Sequence, residues 1–122
     1  MKKIMLVDDS TTLLMSMKGI LSRAGFEVLT ASSGQQALEK IEGFKPDLVI
    51  TDLNMPGMDG ITFIKASKKT AAMRFKPILM LTTESQQSKR DEAKQAGAMG
   101  WLVKPVAPEQ LTQVVKQVLP GA

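Results

Sequence analysis

Five short apolar runs, each ending at a polar residue and each followed by a segment with helical spacing, divide this chain from end to end. Ile4 to Val7 is a continuous apolar run ending at Asp8-Asp9, as a strand buried on both faces requires. Leu13, Met17, Ile20, Leu21 and Ala24 then follow helical spacing, with Ser10 as N-cap and Gly25 as the stop. Phe26 to Ala31 reads as a second strand, and Ala37, Leu38 and Ile41 mark a short helix closed by Gly43. Leu48 to Ile50 forms a third strand ending at Asp52, and the turn-rich segment from Asn54 to Gly60 must be a loop. A helix over Ile61 to Lys69 follows. Pro77 opens a fourth strand, Ile78 to Leu81, which stops at Thr82-Thr83. The next helix, Gln86 to Ala96, has only Ala93 and Ala96 to bury and is expected to be loosely held. Gly100 to Val103 is the fifth strand, ending at Lys104-Pro105. The last helix follows Pro108, a good first-turn residue, and presents Leu111, Val114, Val115, Val118 and Leu119 before Pro120-Gly121 ends it.

Strands alternating with helices predict an α/β fold, because right-handed crossovers lay the helices over both faces of a parallel sheet. The expected architecture is a five-stranded parallel sheet with five helices. Strand order does not follow from periodicity; the flavodoxin-like order 2-1-3-4-5 is the natural candidate. The 122 residues are used up by these five units, so residues 1–122 are read as one domain with no output domain.

Composition removes whole classes of chemistry. There is no cysteine, hence no disulfide, thiolate metal site or cysteine nucleophile. There is no histidine, hence no Ser/His/Asp triad and no imidazole ligand. No apolar run approaches the ~18 residues of a membrane span, and Lys3 is followed by only Ile4 to Val7 before Asp8. A cytoplasmic protein with no signal peptide and no membrane partner is expected. The net charge is +4, but aromatics are only 4% and there is no tyrosine to stack bases, so direct nucleic-acid binding is not expected. The basic cluster Lys65, Lys68, Lys69, Arg74 and Lys76 reads first as a solvated face, and next as a docking patch for an acidic partner.

In sheets of this kind the crevice lies beyond the carboxyl ends of the strands. The residues there are Asp8, Asp9, Asp52, Thr82 and Lys104. Each alone has an ordinary explanation: Asp9 or Ser10 as a helix cap, Thr82 as the cap of the fourth helix, Asp52 as a turn residue, Lys104 as a solvated charge. Together they are harder to dismiss. Three crowded carboxylates need compensating charge. Lys104 supplies one unit and a divalent cation would supply the rest; the all-oxygen donor set favours Mg2+. An anion joining a metal, an ammonium and a hydroxyl has the chemistry of a phosphoryl group, and a carboxylate can accept one as a nucleophile. Asp52, at the end of a central strand, is the candidate acceptor. Asp8 and Asp9 are the candidate metal carboxylates, with Thr82 and Lys104 on the phosphoryl oxygens.

Competing motifs fail on particular residues. Asp52 to Phe63 has the length of a calcium loop, but Pro56 stands at the fifth position and Phe63 at the twelfth, where glutamate is needed. Neither phosphate-binding glycine fingerprint is present. A D-x-D phosphatase motif is broken by Asn54, which removes the general acid needed for turnover.

Val7-Asp8-Asp9-Ser10, Asp52-Leu53-Asn54-Met55-Pro56, Leu81-Thr82-Thr83-Glu84 and the run Gly97 to Pro105 together resemble a response-regulator receiver domain of the CheY-like chemotaxis type. The resemblance implies that Asp52 accepts a phosphoryl group from the phosphohistidine of a sensor histidine kinase. It implies that Asp8, Asp9, Asp52 and the backbone carbonyl of Asn54 hold Mg2+. Thr82 and Lys104 engage the phosphoryl group, Trp101 is the switch aromatic, and the Lys104–Pro105 bond is cis. Asn54 and Glu84 flank the path of the attacking water, implying self-dephosphorylation in the faster chemotaxis range. Trp101 departs from the usual Tyr or Phe, Thr83 from a smaller residue and Val106 from Phe. The implied output surface is the fourth helix, fifth strand and fifth helix. The implied partner is a flagellar motor switch protein, with an auxiliary phosphatase as a further partner and the protein itself a monomer. Such a protein promotes its own phosphorylation and dephosphorylation and turns over no external substrate. The alternatives are a phosphorelay intermediate or phosphate sink serving a histidine phosphotransfer protein, and a metal-dependent phosphatase.

Overall fold

The computed structural model describes residues 1–83 and 86–119. Along the chain the elements are β1 (Lys3–Val7), α1 (Thr11–Arg23), β2 (Glu27–Ala31), α2 (Gly34–Phe44) and β3 (Leu48–Thr51). They continue as α3 (Gly60–Lys68), β4 (Ile78–Thr82), α4 (Gln87–Ala96), β5 (Gly100–Val103) and α5 (Pro108–Val118). The strands form one parallel sheet in the order β2-β1-β3-β4-β5, as expected.

Alternation along β1 explains why the helices divide between two faces. Ile4 and Leu6 enter a cluster with Leu14, Met17 and Leu21 of α1 and Leu111 and Val115 of α5. Met5 and Val7 enter the other cluster, with Ala37 and Ile41 of α2, Phe63 and Ile64 of α3, and Ala93 of α4. Both sets are buried, so beyond Lys3 β1 has no polar face.

The helix starts follow capping chemistry. Ser10 Oγ accepts from the Leu13 N–H at 3.3 Å, as the sequence predicts, and Ser33 Oγ accepts from Gln36 at 3.1 Å. Asp59 Oδ1 accepts from Thr62 at 2.8 Å and caps α3. Gln86 is the N-cap of α4, with no side-chain bond to the helix, so Thr82 does not cap it.

The end of α2 differs from the expectation. Gly43 does not close α2; the helix runs through it to Phe44, and Lys45 takes the left-handed cap with φ 54°. Phe44 packs against the second core cluster, and that tertiary contact outweighs the helix-breaking tendency of glycine. In α1 the fully buried positions are Leu14, Met17 and Leu21, whereas Leu13 and Ile20 are only partly covered. The Pro120-Gly121 stop lies outside the described residues. As expected, α4 is poor in core contacts, with Ala93 its one buried residue. Among the described residues no helix is long and apolar enough to cross a membrane.

Candidate functional site

Strand order decides which carboxyl-end residues meet. Val7 pairs with Thr51 in register, so Asp8 and Asp52 leave neighbouring strands side by side, and the Asp52 N–H donates to the Val7 carbonyl at 2.9 Å. Thr82 pairs with Val103 at the far edge, and the Lys104 N–H donates to the Thr82 carbonyl at 2.9 Å. From there the Lys104 side chain reaches Asp8 Oδ2 at 2.7 Å and Asp52 Oδ2 at 3.3 Å. One ammonium thus bridges two buried carboxylates that lie 96 and 52 positions away in the chain.

The remaining oxygens are held by the backbone. Asp8 Oδ1 accepts from the Ser10 N–H at 2.9 Å, and Asp52 Oδ1 accepts from the Leu53 N–H at 2.7 Å. Asp9 is exposed, yet carboxylate oxygens of Asp8, Asp9 and Asp52 all lie within 4.8 Å of one another. Octahedral Mg2+ has ligands about 2.1 Å away, so opposite oxygens stand roughly 4.2 Å apart, a spacing this cluster can adopt. Three carboxylates against one ammonium also leave a net negative charge that a divalent ion would balance. The donor set therefore fits a hard divalent cation such as Mg2+.

Burial by itself would lower the Lys104 pKa. The hydrogen bond to Asp8 and the charges of Asp52 and Asp8 outweigh it and hold the ammonium above the ordinary lysine range. The Lys104–Pro105 peptide is cis. Thr82 is fully buried at the end of β4. Trp101, in β5 and opposite Met80, is half-buried with the Arg90 guanidinium 5.6 Å from its ring centre. Asn54 is exposed in the loop two residues beyond Asp52. Glu84 lies outside the described residues.

One positioning residue escaped the sequence reading. A Cβ on Gly60 would stand 2.2 Å from the Asp52 carbonyl oxygen and 2.8 Å from Leu53 Cα. Only glycine lets the start of α3 approach the backbone of the acceptor candidate, and the Gly60 N–H donates to the Leu53 carbonyl at 2.7 Å. The signal was present as a glycine at a helix start, but nothing local says what that backbone must approach. Met55 is buried against the second core cluster, which accounts for it by packing.

Comparison with known proteins agrees with this geometry. Residues 4–116 match the response regulator receiver domain. The chain is 40% identical over 118 residues to the chemotaxis protein CheY of Bacillus subtilis, covering 96% of this chain and 97% of that one. It is 36% identical over 118 residues to the alkaline phosphatase synthesis transcriptional regulatory protein PhoP of the same organism, covering 97% of this chain but 48% of PhoP. The solved structure of the chemotaxis protein CheY4 of Vibrio cholerae superposes with a TM-score of 0.94 at 44% identity, over 97% of this chain and 98% of that one. An acidic cluster capable of holding a divalent cation, a lysine bridging it, and a family match over most of the sequence converge, and the chain belongs to the response regulator receiver domain family, in its CheY-like form.

Proposed function

We propose that the protein is a phosphorylation-activated signalling switch whose phosphoacceptor is Asp52. The observation that carries this reading is the Lys104 bridge between Asp8 and Asp52, a cation beside the carboxylate where a phosphoryl group on Asp52 would need one. A carboxylate oxygen of Asp52 attacks the phosphorus of a sensor kinase phosphohistidine. An O–P bond forms, the P–N bond breaks, and the imidazole leaves with the electron pair. When bound, Mg2+ would neutralise the carboxylates and the equatorial phosphoryl oxygens; Asp8, Asp9, Asp52 and the Asn54 carbonyl are its proposed ligands.

This chain's own residues then do three things. The Lys104 ammonium moves from sharing two carboxylates to pairing with the phosphoryl oxygens. The Thr82 hydroxyl turns towards the same group, and Trp101 repacks over the space this changes. Scant burial in α4 supports this reading, because an element with one buried residue shifts cheaply between two states. The output surface is α4, β5 and α5, and the proposed target is a flagellar motor switch protein, in keeping with the chemotaxis relatives. Asn54, exposed two residues beyond Asp52, is the proposed flank of the approaching water, so the aspartyl phosphate is short-lived and the protein ends its own signal.

Affinity capture from native lysate tests this reading, with Mg2+ alone and with Mg2+ plus beryllofluoride as the phosphoryl mimic. A motor switch component enriched only with beryllofluoride is the expected result. Capture of a histidine phosphotransfer protein alone, whatever the state, would make the protein a relay or sink instead.

A further inference from the structure

The end of the sheet opposite Asp52 carries a charge imbalance that phosphoryl transfer does not use. It comprises the last turn of each helix, the connections leading into the strands, and the first residue of each strand. All the chain's cations lie there except Lys18, Lys40, Lys89, Arg90 and Lys104, whereas its carboxylates there are Glu27, Glu42 and Asp47 alone. Helix dipoles favour cations at helix ends and account for Arg23, Lys65, Lys68, Lys94 and Lys116. They favour Lys69 as well, the C-cap of α3, but do not account for Arg74 and Lys76 on the connection from α3 to β4, nor for Phe75 between them. Phe75 is 90% exposed, and Met99, on the connection from α4 to β5, is 64% exposed.

The two connections lie side by side. The Met99 N–H donates to the Ile78 carbonyl at 2.7 Å, just beyond the segment that carries Phe75. Lys68 Nζ donates to the Lys76 carbonyl, and the Lys68 side chain runs against Gly97. Among the described residues Asp47 is the one carboxylate paired with this group, at 3.5 Å from Lys76.

We propose that this end of the molecule is a peripheral docking surface for an anionic lipid bilayer. Phe75 and Met99 enter the headgroup region while Arg74 and the surrounding lysines lie over lipid phosphates. The cations come from six separate segments spread across the end of the sheet, which suits a plane of negative charge better than a single acidic peptide. Exposed apolar side chains flanked by cations are the pattern of interfacial binding. A contact of this kind needs no apolar span; the expectation of no membrane partner rested on the lack of one.

The test is sedimentation of the full chain with vesicles of phosphatidylcholine alone and of phosphatidylcholine mixed with phosphatidylglycerol. Binding is expected only to the mixed vesicles and is expected to fall at high salt. Lys69→Glu with Arg74→Glu should weaken it by about tenfold or more, and the charge-matched pair Lys18→Glu with Lys40→Glu by much less. Phe75→Ser should also weaken it. Because the chain has no cysteine, Phe75→Cys carries a single environment-sensitive dye, whose emission should shift to the blue on mixed vesicles only. Equal binding to both vesicles, or equal loss from the two charge pairs, would overturn the proposal. So would Phe75→Ser binding like the parent while polyglutamate competes fully, which would indicate an acidic protein face. Asp52→Asn should bind vesicles like the parent, so failure here leaves the phosphoacceptor reading standing.

Discussion

Lys104 Nζ stands 2.7 Å from Asp8 Oδ2, closer than the 3.3 Å that separates it from Asp52 Oδ2. The lysine therefore pairs with carboxylate oxygens that a divalent cation at the proposed site would use. A divalent cation at the proposed site would compete with the lysine for Asp8, and a phosphoryl group would offer the lysine a replacement partner.

Lys104→Ala should accordingly bind Mg2+ at least as tightly as the parent, while phosphorylation no longer strengthens binding to the target. Titration calorimetry reads the first effect and beryllofluoride-dependent capture the second. Without metal, the same substitution should lower stability by about 3 kcal/mol, since two buried carboxylates lose their shared cation. Loss of Mg2+ binding in a folded Lys104→Ala protein would contradict the assignment.

The raised Lys104 pKa makes a prediction for alkaline pH. A lysine whose pKa is higher folded than unfolded contributes stability fully below its unfolded value, 10.5, and loses it as pH rises through the folded value. The parent should therefore lose stability relative to Lys104→Met above about pH 10.5, and the difference should be flat between about pH 7 and that point. Denaturant melts across that window check this, without interference from tyrosine, which the chain lacks.

Two glycines should respond in opposite directions to alanine. Gly60→Ala drives a Cβ into the Asp52 carbonyl and should cost roughly 1–3 kcal/mol, with slower labelling by acetyl phosphate. Gly43→Ala meets nothing within 4 Å inside α2 and should gain about 0.5–1 kcal/mol. Urea melts of both variants test the pair; a neutral Gly60→Ala would mean that the start of α3 is free to move away.

Asp52→Asn should abolish labelling by acetyl phosphate, read as loss of the phosphate mass increment. Trp101 is the single tryptophan, so its emission should change on adding acetyl phosphate with Mg2+ and stay constant in Asp52→Asn. Labelling without any change in Trp101 emission would remove this residue from the switch.

Much of this protein is determined locally. Short continuous apolar runs such as Ile4 to Val7 and Ile78 to Leu81, alternating with helical segments, fit strands of a parallel sheet covered on both faces. The polar residue ending each run must then emerge at the carboxyl end, which is why Asp8, Asp52, Thr82 and Lys104 are legible as a group. Ser10 is legible as a cap because its bond to Leu13 spans three residues. Tertiary structure decided whatever depends on distances between remote segments. Lys104 could have been solvated until strand order brought it to Asp8; Gly43 could have ended α2 until Phe44 found the core. The closeness of Gly60 to Asp52, and the gathering of cations around Phe75, likewise exist only once crossovers bring separate connections to one end of the sheet. Periodicity and capping act over a turn or two of chain, whereas Coulomb interaction, packing and steric exclusion act through space.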